Sequence, residues 1–346
     1  MSFKMNNSMR LLLFITFLLW VKPALGQVTF EVQDFSDEYA GKVHIEDTSE
    51  VFSKGWVVIY EKESDEELIK VESDELTFDL AGGKAKSNVQ KLPYGEQSSI
   101  LYEDVNFDGK KDLAIMDGQK SCYHGPSFKI YLATQEGFSL SPAFSRLAHE
   151  YCGMFRVDHE KEQIYTMTKS GCCWHQFSTF EVEGNEPYPV EVFEIGAVTG
   201  KPYLSHISKS TRTQGEMTTE EFNVLQTDRL KETEDIIYQL VFDNGKKMVL
   251  FVYGNTKQLY YAFLNNEDKV ELFYSGEFIY SQRDHLVKFT REETTYEIRD
   301  DQIIVTTPED VYHLKGKVKS KAGREKLRLP ASEELENIRI EDEVQK

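Results

Sequence analysis

Alternation of apolar and polar positions dominates the chain from Gln27 onward. Val28-Thr29-Phe30-Glu31-Val32, Trp56 to Tyr60 and Phe128 to Leu132 are short runs rich in β-branched and aromatic side chains. Successive side chains of a strand point to opposite faces, so a two-residue period predicts half-buried β-strands. Gly82-Gly83, Asp108-Gly109, Glu183-Gly184-Asn185 and Asn244-Gly245 punctuate the runs. These residue types accept the positive φ of tight hairpin turns. Only Pro142 to Glu150 and the C-terminal tail carry patterns comfortable in a helix. The predicted class is all-β, built of antiparallel strands.

Length and composition divide this pattern. Lys4 and Arg10 precede the short apolar run Leu11 to Val21, and small residues follow at Ala24-Leu25-Gly26. That order predicts a signal peptide over 1–26, cleaved to leave Gln27. The run is shorter than the roughly 20 apolar residues of a membrane-spanning helix. A lipoprotein would need cysteine at the new N-terminus, so the expected mature chain is periplasmic or secreted, with no membrane span. The remaining length predicts two domains. A boundary is expected after Val198, because Thr199 to Glu221 is rich in Ser, Thr, Gly and Lys. The first domain is then 27–198, and a β-meander domain occupies 199–316, with strands at Ile236 to Phe242, Lys247 to Tyr253, Leu259 to Leu264 and Val270 to Tyr274. A charged, mobile tail is expected over 317–346. No repeat of propeller length is visible.

The formal charge of −19 changes the picture of partners. An acidic surface without a basic stripe repels phosphate backbones, which excludes nucleic acid and favours a divalent cation or a basic protein. Four cysteines, Cys122, Cys152, Cys172 and Cys173, predict two disulfides in an exported chain. Three connectivities are possible. The expectation is that Cys172 and Cys173 each reach a different partner, Cys122 or Cys152, because a bridge between neighbours closes a small strained ring. A zinc site made from the adjacent pair with His175 and His124 is the alternative, although zinc motifs usually space their cysteines.

The segment with the most chemistry is Asp104-Val105-Asn106-Phe107-Asp108-Gly109-Lys110-Lys111-Asp112. Oxygen side chains fall at relative positions one, three, five and nine, and Gly109 at six allows a sharp turn. The Lys110 carbonyl supplies position seven. Calcium takes six to eight oxygen ligands, and this spacing wraps a short backbone around one ion. Three crowded carboxylates would repel without a cation among them. The predicted ligands of Ca2+ are Asp104, Asn106, Asp108, Lys110 and Asp112. Position twelve is Ile115, and the flanks Ile100 to Tyr102 and Leu113 to Met116 read as strands, so the loop is not an EF-hand. An ordinary Asp-Gly hairpin turn is the plain alternative.

Asp104 to Leu113 resembles the calcium loop of FG-GAP-type repeats. The order that follows is similar to bacterial proteins related to the Xanthomonas periplasmic inhibitor of a secreted lysozyme-like effector. The matching pieces are Asn106 to Gly109 with Asp112-Leu113, Phe128 to Leu132, Gly137-Phe138, Gly153 to Phe155, Val157-Asp158 and Lys169 to His175. They cover roughly 56–194. The resemblance implies a calcium-binding, non-enzymatic inhibitor whose partner is a peptidoglycan hydrolase. A secreted hydrolase with structural calcium and an FG-GAP-like adhesion or structural module are the alternatives.

The chain carries no complete catalytic motif of a familiar kind. His149-Glu150 and His159-Glu160 begin a zinc-protease motif, but neither is completed by a histidine four residues after the first. No nucleophile elbow, P-loop or dinucleotide fingerprint occurs. Lys169 to Phe177 is the candidate binding loop, with Trp174 and His175 as its contact residues, and a core role for Trp174 is the competing expectation. Tyr274 to Phe278 faintly resembles the Ser-Gly loops of other lysozyme inhibitors and fits a hairpin turn equally well.

Overall fold

The computed structural model describes residues 27–91, 95–230, 235–253, 256–317 and 335–341. The expected signal peptide lies outside the described residues, as does most of the tail. The chain forms two compact units. One is Met1–Lys169 with Gln176–Val192, and the other is Ser170–His175 with Phe193–Lys346. The division comes six residues before the boundary expected at Val198.

In the first unit, β1 (Val28–Glu31), β2 (Tyr39–Ile45), β3 (Ser53–Glu61) and β4 (Glu67–Leu76) form an antiparallel sheet in sequence order. A small hairpin, β5 (Leu80–Ala81) and β6 (Lys84–Ala85), turns through Gly82-Gly83. Then β7 (Ile100–Glu103), β8 (Asp112–Ser121), β9 (Gly125–Thr134) and β10 (Gly137–Ser141) make a second antiparallel sheet. Strand β8 is buried at nearly every position, which is why Leu113 to Met116 read as a continuous apolar run without alternation. Helix α1 (Pro142–Glu150) begins where expected. The Ser141 hydroxyl accepts the Phe144 N–H, and proline at the first turn lacks a hydrogen that would otherwise go unpaired. Its Phe144, Leu147 and Ala148 join Val43, Ile59, Ile115 and Phe128 in one core. Each large side chain there contributes about 2 kcal/mol by leaving water. The strands β11 (Arg156–Asp158) and β12 (Gln163–Ser170) pair antiparallel. They are followed by β13 (Trp174–Glu183) and by β14 (Glu186–Ala197), which carries the chain into the second unit.

In the second unit, the Ser- and Thr-rich stretch from Thr199 enters a ten-pair antiparallel hairpin made of β15 (Leu204–Thr213) and β16 (Glu216–Leu225). Its Thr residues in β16 suit a strand exposed over its first six positions, where no apolar alternation is needed. A 3₁₀ turn, Thr227–Arg229, leads to β17 (Ile236–Val241), β18 (Lys247–Val252), β19 (Leu259–Leu264) and β20 (Val270–Tyr274), paired in sequence order as the expected meander. A final sheet contains β21 (Phe278–Ser281), β22 (Leu286–Arg291), β23 (Thr294–Ile298), β24 (Gln302–Thr306) and β25 (Val311–Lys315). The expected mobile tail is corrected in part. Ile338–Ile340 form β26, which pairs parallel with β21 through Phe278↔Ile338 and Tyr280↔Ile340. Leu335 just before it is buried, which anchors the segment.

Candidate functional site

The Asp104 to Asp112 segment is the connection between β7 and β8, closed where Glu103 faces Asp112 across the ladder. Phe107 at φ +64° and Gly109 at φ +84° make the reversals. Asx-type bonds then curl the backbone around the acids. The two Asp104 carboxylate oxygens accept the N–H groups of Phe107 (2.8 Å) and Gly109 (2.9 Å), and Asp108 accepts that of Lys110 (2.9 Å). Asn106 is buried and donates its amide to the Asn185 side-chain oxygen at 2.8 Å, and its own oxygen takes a long bond, 3.4 Å, from the Asp108 N–H.

Asp112 is the residue that ties this loop to the sheet. It is 1% exposed, and its two oxygens accept the N–H groups of Val105 and Ala133, each at 2.8 Å. Burial pushes its carboxyl up to about 6, with the neighbouring Asp104 and Asp108 adding to the rise against those two hydrogen bonds. Side chains outside the predicted set brace the loop. The Phe107 ring meets the His159 ring edge-on at 6.0 Å, and His159 Nε2 lies 3.1 Å from Glu103 Oε1. The sequence placed His159 in a zinc-protease fragment and Asn185 in a turn, because only strand pairing brings them to a loop 50 to 80 residues away. All five predicted ligands lie within this one connection. Among the described residues, no group of three or more His, Cys, Asp or Glu is gathered as a metal cluster. The carboxylates alone therefore make no cage, and the predicted set relies on two neutral oxygens, from Asn106 and the Lys110 backbone.

The cysteines pair otherwise than expected. Cys122 bonds to Cys152, with Cα atoms 4.8 Å apart, and Cys172 bonds to its neighbour Cys173. The physical reason is tertiary. The end of β8 and the end of α1 bring Cys122 and Cys152 together, so each saturates the other and only the adjacent pair is left. No described cysteine is free, so the zinc alternative has no thiolates to offer. Trp174 and His175 follow the Cys172–Cys173 bridge directly, at the start of β13. Both are half-buried. Trp174 packs beside Gly196, where a Cβ would stand 3.5 Å from its ring.

A second polar cluster looks catalytic and is built otherwise. Buried Asp117 accepts the Ser127 hydroxyl at 2.6 Å and the Lys120 ammonium at 3.0 Å, and His149 Nε2 lies 3.3 Å away. Burial works to raise the Asp117 carboxyl, but these partners outweigh it and hold it below the usual carboxylate range. In a nucleophilic triad the histidine stands between serine and acid. Here the acid stands between the other two, and Ser127 is fully buried, so the cluster fastens β8 to β9 and α1.

Comparison with known proteins adds little. No protein-family model matches the chain, and no curated protein matches its sequence. A Xanthomonas type IV secretion system related protein is similar in structure at 20% identity and a TM-score of 0.43, over 57% of this chain and 94% of that one. A candidate 6-phosphogluconolactonase from Bacteroides uniformis is 10% identical with a TM-score of 0.22, over 86% of each chain. A puromycin-hydrolyzing peptidase from Mycobacterium tuberculosis is 8% identical with a TM-score of 0.24, over 86% of this chain and 46% of that one. Likenesses this loose assign neither a family nor an activity.

Proposed function

We propose that the chain is an exported, calcium-stabilised protein that binds and blocks a peptidoglycan-degrading enzyme and has no catalysis of its own. The observation that carries this reading is the β7–β8 connection. Its donors are all oxygen, the preference of a hard cation, and desolvated Asp112 closes it beside Asp104 and Asp108. Asp104, Asn106, Asp108, Asp112 and the Lys110 carbonyl would hold the ion. Bound there, it would offset carboxylate repulsion and lock β7, β8 and β9 in register. It would act on partner binding by pre-ordering this sheet. The hydrolase as partner is supported by the motifs shared over 56–194, and the acidic surface suits a basic enzyme.

The test is an inhibition assay against a panel of lysozymes and related peptidoglycan hydrolases, with calcium-loaded and chelator-treated protein. Inhibition that weakens on chelation, and weakens with Asp108→Ala, is the expected result. Lack of inhibition across the panel, or turnover of cell wall by the protein itself, overturns the reading.

A further inference from the structure

A cleft of about 560 Å³ opens within the second unit and shares no lining residue with the loop discussed above. Among the described residues seventeen line it, and none of these is acidic. Asp and Glu make up 59 of 346 residues, so a lining drawn in proportion would hold about three carboxylates. Instead the charges are Lys201 and Arg229, with His175 beside them. No carboxylate among the described residues forms an ion pair with Lys201 or Arg229. In a chain of net charge −19, such a pocket is set apart for an anion.

The remaining surfaces define the rest of the ligand. Tyr253 is 43% exposed and meets Tyr203 edge-on at 5.1 Å, while Tyr260 is stacked on Phe251 at 5.4 Å. Tyr203 is held in turn by a hydrogen bond from its hydroxyl to Asp235, which is outside the lining. The exposed Cys172–Cys173 bridge adds a short, rigid sulfur surface. Aromatic faces and polarisable sulfur favour flat C–H-bearing groups. Between them lie neutral hydrogen-bonding groups: Ser205, Gln226 and Thr256. Gln226 is already oriented by donating to the Ser205 hydroxyl at 2.6 Å. The volume falls within the usual range of small-molecule sites.

From this combination we infer that the cleft binds a carboxylate-bearing sugar. Its ring packs on Tyr253 and the Cys172–Cys173 bridge, and its carboxylate meets Arg229 and Lys201. An arginine fork matches a carboxylate in two-point geometry, and lysine adds a point charge. Ring hydroxyls take Ser205, Gln226 and Thr256, which a planar aromatic acid would leave unused. Neither the calcium loop nor the hydrolase-binding reading enters this argument.

N-acetylmuramic acid and N-acetylglucosamine make a decisive pair of probes, because they differ only by a lactyl ether that carries a carboxylate. Binding of each to the whole mature protein is measured by calorimetry and saturation-transfer NMR, with glucuronate and glucose as a second pair. The acidic member of each pair is expected to bind at least tenfold more tightly than its neutral counterpart. Arg229→Gln and Tyr253→Ala should each weaken it about tenfold while the melting temperature stays unchanged, since both side chains lie at an open surface. Equal binding within the pairs, no binding of either acidic sugar, or affinity unchanged in both variants overturns the inference. Because sugar binding is read on the protein alone, it can fail while hydrolase inhibition succeeds, and the reverse.

Discussion

The Asp112 carboxylate is enclosed by the loop it ends and the strand it faces, since its two oxygens take the N–H groups of Val105 and Ala133. That arrangement gives a signed dependence on pH. The folded group titrates at about 6, above its ordinary value of 3.8, so the folded state prefers it protonated. Without calcium, its contribution is fully present below about pH 4 and is lost as pH rises through about 6. The loss is about 2 kcal/mol once solvent screening of a two-unit shift is allowed for. Urea denaturation of chelator-treated protein from pH 4 to pH 8 should show this decline, and Asp112→Asn should flatten it. The variant should also be less stable at pH 4 by about 1 kcal/mol, because the amide accepts only one of the two N–H bonds well. A profile as steep in the variant as in the parent would remove Asp112 as the source. The position of Asp112 could be read from local spacing, because the predicted ligands lie within nine residues of one another. Its bond to Ala133 could not, because that contact needs β8 and β9 paired.

At the scale of elements, the two disulfides should contribute unequally, and the difference follows from chain entropy. Cys122 and Cys152 are 30 residues apart, and closing such a loop removes freedom from the unfolded chain worth about 3–4 kcal/mol. Cys172 and Cys173 close almost no chain, so the same reasoning gives them about 1 kcal/mol. Denaturation of Cys122→Ala/Cys152→Ala should therefore show a much larger drop in midpoint than Cys172→Ala/Cys173→Ala, and similar drops would count against this assignment. The returning segment before β26 offers a second contrast. The Asn337 side chain accepts the Leu259 N–H at 2.8 Å and donates to the Leu259 and Gly276 carbonyls, each at 2.9 Å. Asn337→Ala should destabilise by about 2 kcal/mol in a urea titration, since the N–H and carbonyl of buried Leu259 lose their partners; a loss no greater than that of an exposed alanine substitution would show the segment to be loosely held. Both features were hidden in the sequence. A run such as Leu335 to Ile340, between charges, carries too few apolar residues to announce a strand, and its pairing with β21 is some 60 residues away. The strands of the meander were legible because hairpin neighbours are also neighbours in sequence, as at Asn244-Gly245 between β17 and β18.

The whole molecule has separate apolar interiors. The core around Ile115, Phe128 and Phe144 draws only on the first unit, and the cores around Tyr261 and Phe289 and around Phe251 draw only on the second. Legibility differs between the units for the same reason that their chemistry does. The calcium-type loop is one contiguous segment, whereas the cleft combines Cys172, Tyr203, Arg229 and Tyr253, which only the fold collects. Separate cores also make a prediction about calcium at this scale. A ligand that binds only the folded state stabilises it by about 2.7 kcal/mol at a hundredfold excess over its dissociation constant. The loop's bonds run to Ala133 and Asn185, both in the first unit, so that stabilisation belongs there. Scanning calorimetry of the mature protein should resolve more than one transition, as chains with several cores commonly do. Adding millimolar calcium to chelator-treated protein should raise one transition by several degrees and leave the other in place, and Asp108→Ala should abolish the rise. Phe128→Ala, which empties the first core at a cost of about 3–5 kcal/mol, should lower the same transition and thereby identify it. If calcium moved the transition that Phe128→Ala leaves untouched, or moved neither, the loop between Asp104 and Asp112 would have to be set aside as the calcium site.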